Sequence, residues 1–167
     1  MLKKIIYALL ASLIIIQIIR PDKNEAVGPF NNDIERIHPM NATVKTALQR
    51  ACYDCHSNNT RYPWYAEIQP IRWWLQHHVD EGKEHLNFHE MAAYSPDKLE
   101  HKLEEIQEAV NDGWMPLTSY TLVHKDAVLS NEEKTAISEW VTQIRKENKS
   151  VPGQSEEHKH EHDEAGH

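Results

Sequence analysis

At 167 residues the chain accommodates one ordinary domain with appendages, because a second hydrophobic core would need more chain. Its formal charge of −8 excludes nucleic acid as a partner, since phosphate binding needs clustered Lys and Arg. Part of that acidity is local: in residues 156–167 the five acids Glu156, Glu157, Glu161, Asp163 and Glu164 against the single Lys159 leave −4, so the folded region is only mildly acidic.

Residues 1–20 read as an export signal that stays in place as an anchor. Lys3 and Lys4 precede an almost unbroken apolar run, Ile5 to Ile19, which Arg20 and Pro21 close. Those fifteen residues fall short of the roughly twenty of a full span, and no Ala-x-Ala site or lipobox cysteine follows to mark cleavage. The positive-inside rule puts Lys3 and Lys4 in the cytoplasm and the rest of the chain at the periplasmic face of the inner membrane. The alternative, a buried core helix, is unusual for a segment apolar all round in so small a domain.

Residues 21–40 carry Pro21, Gly28, Pro29, Asn31, Asn32 and Pro39 with little periodicity, which predicts a tether. The folded domain is expected over 41–147. A first helix starts at the N-cap Asn41, repeats Val44, Leu48 and Ala51, and runs into Cys52. A second is predicted over 66–79, with Ile71, Trp74, Leu75 and His78 on one side. A third begins at Ser95-Pro96, repeats Leu99, Leu103, Ile106 and Val110, and stops at Asn111-Asp112-Gly113. Ser130 and Glu133 form a capping box for a fourth, with Ile137, Trp140, Val141 and Ile144 as its apolar stripe. No segment alternates as a strand would, so the fold class is all-α with about four domain helices. The stretch 148–167 is rich in His and acids, too polar to bury, and reads as a disordered tail.

Cys52-Tyr53-Asp54-Cys55-His56 is a CxxCH motif built from the only two cysteines of the chain. The pattern is the attachment signature of a c-type haem. Two thiols three residues apart reach the two vinyl groups on one porphyrin edge, and the next residue supplies an axial imidazole to the iron. The same pair would also serve a thioredoxin-like dithiol, a structural zinc site or a short disulfide. The first wants a βαβ context, the second two further ligands, and the third constrains little chain.

Met115-Pro116 follows the Gly113 turn, and the fixed φ of proline holds the loop extended and aims the methionine, so Met115 is the expected sixth ligand. His78 is the alternative distal ligand, followed by His77, His85, His89 and His124. A core role for either residue is the competing reading. Trp64 and Trp74, with Tyr62, Trp73 and Trp114, are candidates for the wall of a haem pocket, although aromatic residues also serve as ordinary core. His158, His160, His162 and His167 lie among acids and could hold a transition metal loosely, or stay solvated.

On these residues the stretch from about Asp33 to Lys146 resembles the bacterial haem-binding domain family, small exported monohaem proteins related in plan to class I cytochromes c. The matching text is Cys52 to His56, Ser57-Asn-Asn-Thr-Arg-Tyr-Pro-Trp-Tyr65, Trp74, His78 to Lys83, Leu86 to Phe88, Met115-Pro116, and Tyr120 through Leu129 and Ser130 to Trp140. The resemblance implies one haem held covalently by Cys52 and Cys55, His56 as proximal ligand, Met115 as distal ligand, and first and last domain helices packed together near Leu48 and Trp140. The chain departs from ordinary class I cytochromes in lacking a glycine in that first helix.

The expected function is one-electron transfer with soluble or membrane-bound redox partner proteins, the tether letting the domain swing between them. Two other classes stay open: a haem enzyme or sensor with an open sixth iron site, and a zinc-binding accessory domain.

Overall fold

The computed structural model describes residues 1–150, so the tail expected over 148–167, disordered or metal-binding, lies outside the described residues from 151 on, while Asn148 and Lys149 belong to the last helix. Among them the chain is all helical, with seven α-helices, four short 3-10 turns and a single isolated bridge between Glu25 and Asn59.

Helix α1 (Leu2–Ile16) buries none of its side chains. At 1.5 Å per residue it is roughly 22 Å long against a hydrocarbon layer of about 30 Å. No helix of the described residues is long and apolar enough to cross a membrane.

Helix α2 (Ala42–Ala51) starts where Asn41 predicts, its Oδ1 accepting from the Val44 N–H at 2.9 Å. The short α3 (Tyr53–His56) is the CxxCH turn itself, and α4 spans Ile71–His85. The predicted second helix thus begins and ends later than its pattern suggested. Pro70 has no N–H and disfavours helical backbone at Gln69, so residues Trp64–Glu67 form a separate 3-10 turn.

Helix α5 (Pro96–Asp112) is capped by Ser95 and stopped by Gly113, whose φ of +74° is the left-handed conformation that glycine adopts without strain. Helix α6 (Thr118–Val123) has no counterpart in the sequence reading. Helix α7 (Asn131–Lys149) carries the complete capping box, Ser130 Oγ accepting from the Glu133 N–H and Glu133 accepting from the Ser130 N–H at 2.8 Å.

The core forms where α7 packs on α5 and on α2. Val44 and Leu48 of α2, Leu103 of α5 and the predicted stripe Ile137, Val141 and Ile144 of α7 are all at most 1 % exposed. Each such side chain stabilises the fold by about 1.5–3 kcal/mol. The first and last domain helices pack together without the missing glycine, and α2 buries the short Ala47 and Ala51. Arg50 ties the end of α2 to the start of α7 through both carboxylate oxygens of Glu133, at 2.8 and 2.9 Å.

The stretch expected as a tether is instead laid along the domain. Ile34 is fully buried and its N–H donates to the Phe88 carbonyl. Asn24 is buried too, its amide donating to the Ser57 carbonyl at 2.8 Å and to Thr60 Oγ1 at 2.9 Å while its oxygen accepts from Lys83 at 2.7 Å. The turn signals read there were real, but prolines and asparagines that punctuate a loop serve equally well to fix it against a surface.

Candidate functional site

The CxxCH turn is built by its own backbone. The Cys52 N–H closes α2 on the Leu48 carbonyl, and the N–H groups of Cys55 and His56 both return to the Cys52 carbonyl, at 3.1 and 2.9 Å. Two thiols and one imidazole therefore sit on one helical turn. The thiols are free and half-buried. Burial pushes the Cys52 thiol up to about 12 and the Cys55 thiol up to about 11. Protonated thiols of this kind are the opposite of an activated dithiol, which works through a lowered pKa.

Helix α4 crosses this turn at Gly82. A β-carbon there would lie 2.7 Å from the Cys55 carbonyl oxygen, so only glycine permits the approach. The contact places the Gly82 carbonyl 2.8 Å from His56 Nδ1, with the Leu86 carbonyl at 3.2 Å. A carbonyl can only accept, so Nδ1 carries the proton and Nε2 carries the lone pair. Burial lowers the His56 pKa and so favours the neutral ring, the form that binds a metal.

Asp54, inside the motif, is buried and locks the turn to the rest of the domain. Its Oδ2 accepts from the Tyr120 hydroxyl at 2.7 Å, and its Oδ1 from the Arg61 N–H and Nε at 3.1 and 3.2 Å. The Thr60 hydroxyl donates to its carbonyl at 2.6 Å. Burial, then the hydrogen bond to Asp54, pushes the Tyr120 hydroxyl far above its ordinary range.

Beside Cys55 opens a cleft of about 90 Å³, walled by Tyr62, Trp74, Leu75, Val79, Leu117 and Val123. His78 and His124 line it as well. His78 Nδ1 donates to the Trp74 carbonyl at 2.9 Å, which leaves its Nε2 as the lone-pair nitrogen, and the Trp74 ring lies 4.2 Å away. His124 Nε2 is 2.9 Å from the Tyr65 hydroxyl.

Cys55, Trp74 and His78 are thus brought together, whereas other expected residues lie elsewhere. Met115 is half-buried and does not line the cleft; its N–H donates to the Ala109 carbonyl, and Leu117 lines the cleft in its stead. Trp64 is 77 % exposed, edge-on to Tyr65. His89 is an ordinary core histidine, stacked on Phe30 at 3.7 Å and accepting from the Asn58 N–H at 3.2 Å. His77 and His85 are exposed.

The profile of the haem-binding domain family matches residues 11–143, most of the chain and all of this site. The chain belongs to the haem-binding domain family. No curated protein and no solved structure gives a significant match.

Haem is therefore the cofactor of this haem-binding domain, and the residues fit it. A porphyrin needs a flat apolar cover, and the cleft edge supplies Trp74, Leu117 and Val123, which are 48 %, 36 % and 61 % exposed. At about 90 Å³ the cleft is well below the roughly 300–1,000 Å³ of ligand pockets and does not enclose a porphyrin by itself. Zinc is served less well: among the described residues no three His, Cys, Asp or Glu side chains converge as a metal site.

Gly82, Asp54 and Tyr120 were missed as site residues by the sequence reading. Gly82 carried a readable signal, since a lone glycine inside a run of helix formers marks a close backbone approach. Asp54 and Tyr120 carried none, because 66 residues separate them and only the folded chain pairs them.

Proposed function

We propose that this haem-binding domain is a monohaem c-type cytochrome that carries single electrons at the periplasmic face of the inner membrane. Cys52 and Cys55 would hold the haem through thioethers, each S–H adding across one vinyl group with no atom lost, and His56 Nε2 would ligate the iron. The observation that carries this reading is the His56 ring itself. It sits on the turn that bears both thiols, and its Nδ1 proton is committed to the Gly82 and Leu86 carbonyls, which leaves Nε2 as the nitrogen able to ligate a metal.

The bound haem supplies a one-electron iron couple. The protein holds the ring by its edge, keeps His56 neutral and fixes its orientation through α4. For the sixth position two contacts favour His78 over the sequence-expected Met115: His78 lines the cleft beside Cys55, and its Nδ1–H is tied to the Trp74 carbonyl. Either ligand closes the site and suits electron transfer rather than oxygen or peroxide chemistry. Anchorage rests on α1, which buries nothing and whose apolar run continues to Ile19.

The test is visible spectroscopy of protein matured in a host with a haem-attachment system, comparing wild type with His78→Ala and Met115→Ala. Conversion of the low-spin spectrum by the first substitution alone supports His78. Conversion by the second alone, with loss of a methionine-to-ferric-iron band, restores Met115. A wild-type protein that is already high-spin and binds carbon monoxide readily would replace the carrier with an open-site haem enzyme or sensor.

A further inference from the structure

The end of α1 is stapled to the start of α4. Gln17 and Gln69 exchange hydrogen bonds, the Gln69 N–H donating to Gln17 Oε1 at 3.0 Å and Gln17 Nε2 donating to the Gln69 carbonyl at 3.2 Å. The Ile19 carbonyl accepts from both Gln69 Nε2 at 2.8 Å and the Trp73 indole N–H at 3.0 Å. Arg72 donates to the Pro21 carbonyl at 2.6 Å, and Arg20 pairs with Glu67 at 3.2 Å. Six such contacts join the chain at the end of α1 to the domain.

Close in sequence to this joint the domain exposes several large apolar side chains. Ile68, Ile71, Trp73 and Trp74 are all at least 36 % exposed, and Trp64 more so. Tryptophan whose ring is half-wet is the residue that settles at the headgroup level of a bilayer, apolar body inward and N–H satisfied. Trp73 meets that description, because its indole N–H is already bonded to the chain that leaves α1.

We propose that the face made by Ile68, Ile71 and Trp73 lies in the lipid interface beside α1, so that the domain rests on the membrane in one orientation instead of swinging from a tether. The inference rests on the reading of α1 as a lipid-seated anchor. Continuity favours lipid over another occupant: an α1 held in a bilayer brings its own C-terminal end, and everything bonded to it, to the bilayer surface. Trp74, the next residue of α4, lines the cleft at Cys55 instead, so that cleft lies close along the chain to this face.

The experiment uses the full, haem-loaded chain in vesicles of phosphatidylethanolamine and phosphatidylglycerol. A nitroxide is placed in turn at Ile14→Cys, Ile71→Cys, Ile68→Cys and Gln143→Cys, the last on α7, which packs on α2 and α5. Wild type serves as the labelling blank for Cys52 and Cys55. Accessibility is read with oxygen against a water-soluble nickel chelate. The expected result is oxygen-favoured labels at 14, 68 and 71, with nickel access several-fold lower at 68 and 71 than at 143. Labels at 68 and 71 as nickel-accessible as 143, with 14 still oxygen-favoured, would overturn this inference and leave the anchor intact. A nickel-accessible label at 14 would remove the anchor and this inference with it. Spin–spin broadening at 71 that survives dilution into excess lipid would assign the face to a second copy and also overturn the proposal.

Discussion

His56 Nδ1 lies 2.8 Å from the carbonyl oxygen of Gly82, and that same glycine is what lets α4 reach the CxxCH turn. Orientation of the His56 imidazole and the packing of two helices therefore depend on one absent side chain. Gly82→Ala puts a β-carbon 2.7 Å from a backbone oxygen, which cannot yield as a flexible side chain would. Overpacking of this kind costs about 1–3 kcal/mol. The variant should unfold at lower denaturant concentration and take up less haem than wild type. Equal stability and equal haem content would show that α4 does not set the ring.

The hydroxyl of Tyr120 donates to the buried Asp54 at 2.7 Å, linking α6 to the motif. Tyr120→Phe removes a hydrogen bond to a charged acceptor, a loss of about 1.5–3 kcal/mol. Asp54→Ala should be worse, because it strips partners from Tyr120 and from Arg61 together. Chemical denaturation of the three proteins checks the order. Asp54→Ala milder than Tyr120→Phe would contradict it.

Asn24 joins the loop after α1 to Ser57, Thr60 and Lys83. Asn24→Ala leaves two acceptors and a lysine without this partner and should release residues 21–30 from the domain. Limited proteolysis should then cut within that stretch well before wild type is cut, while α7 stays resistant. An unchanged cleavage pattern would mean that other contacts suffice to hold the segment.

Three of the domain helices were legible because their ends are written in the sequence: Asn41 before α2, Ser95-Pro96 and Gly113 around α5, and the Ser130/Glu133 box before α7. The apolar stripe of α4 was visible too, but its start was misplaced, since Trp64–Glu67 is helical in a tighter form and the stripe reads straight through Pro70. Helix α6 has six residues, too few to show a period. In the site, the chemistry-bearing turn was legible because its residues are consecutive. What orients it was not, because Leu86 and Tyr120 meet it only through long-range contacts, and the lone Gly82 signals a close approach without saying to what. Residues 21–40 were misread for a related reason: loop composition reports backbone conformation and says nothing of docking.

Acidification offers a separate check. Burial first of all lowers the His89 pKa below its ordinary value of 6.5, against the opposing pull of Asp33 and Glu90. The folded state thus binds its proton less readily than the unfolded chain, so stability is full above about pH 6.5 and falls as pH drops through that value. Protonation would also take Nδ1 from the Asn58 N–H. The denaturation midpoint of wild type should fall between neutral pH and pH 5, and His89→Gln should flatten that dependence whatever its own stability. An equally steep dependence in the variant would place the titrating group elsewhere.

The central claim is that Cys52 and Cys55 bind the porphyrin covalently while His56 meets its iron. It is tested by maturing the wild-type chain and the double variant Cys52→Ala, Cys55→Ala in a host with a haem-attachment system, then staining for haem after denaturing electrophoresis. The account predicts pigment that stays with the wild-type polypeptide and is lost from the double variant. A wild-type band that carries no pigment after denaturation would contradict it.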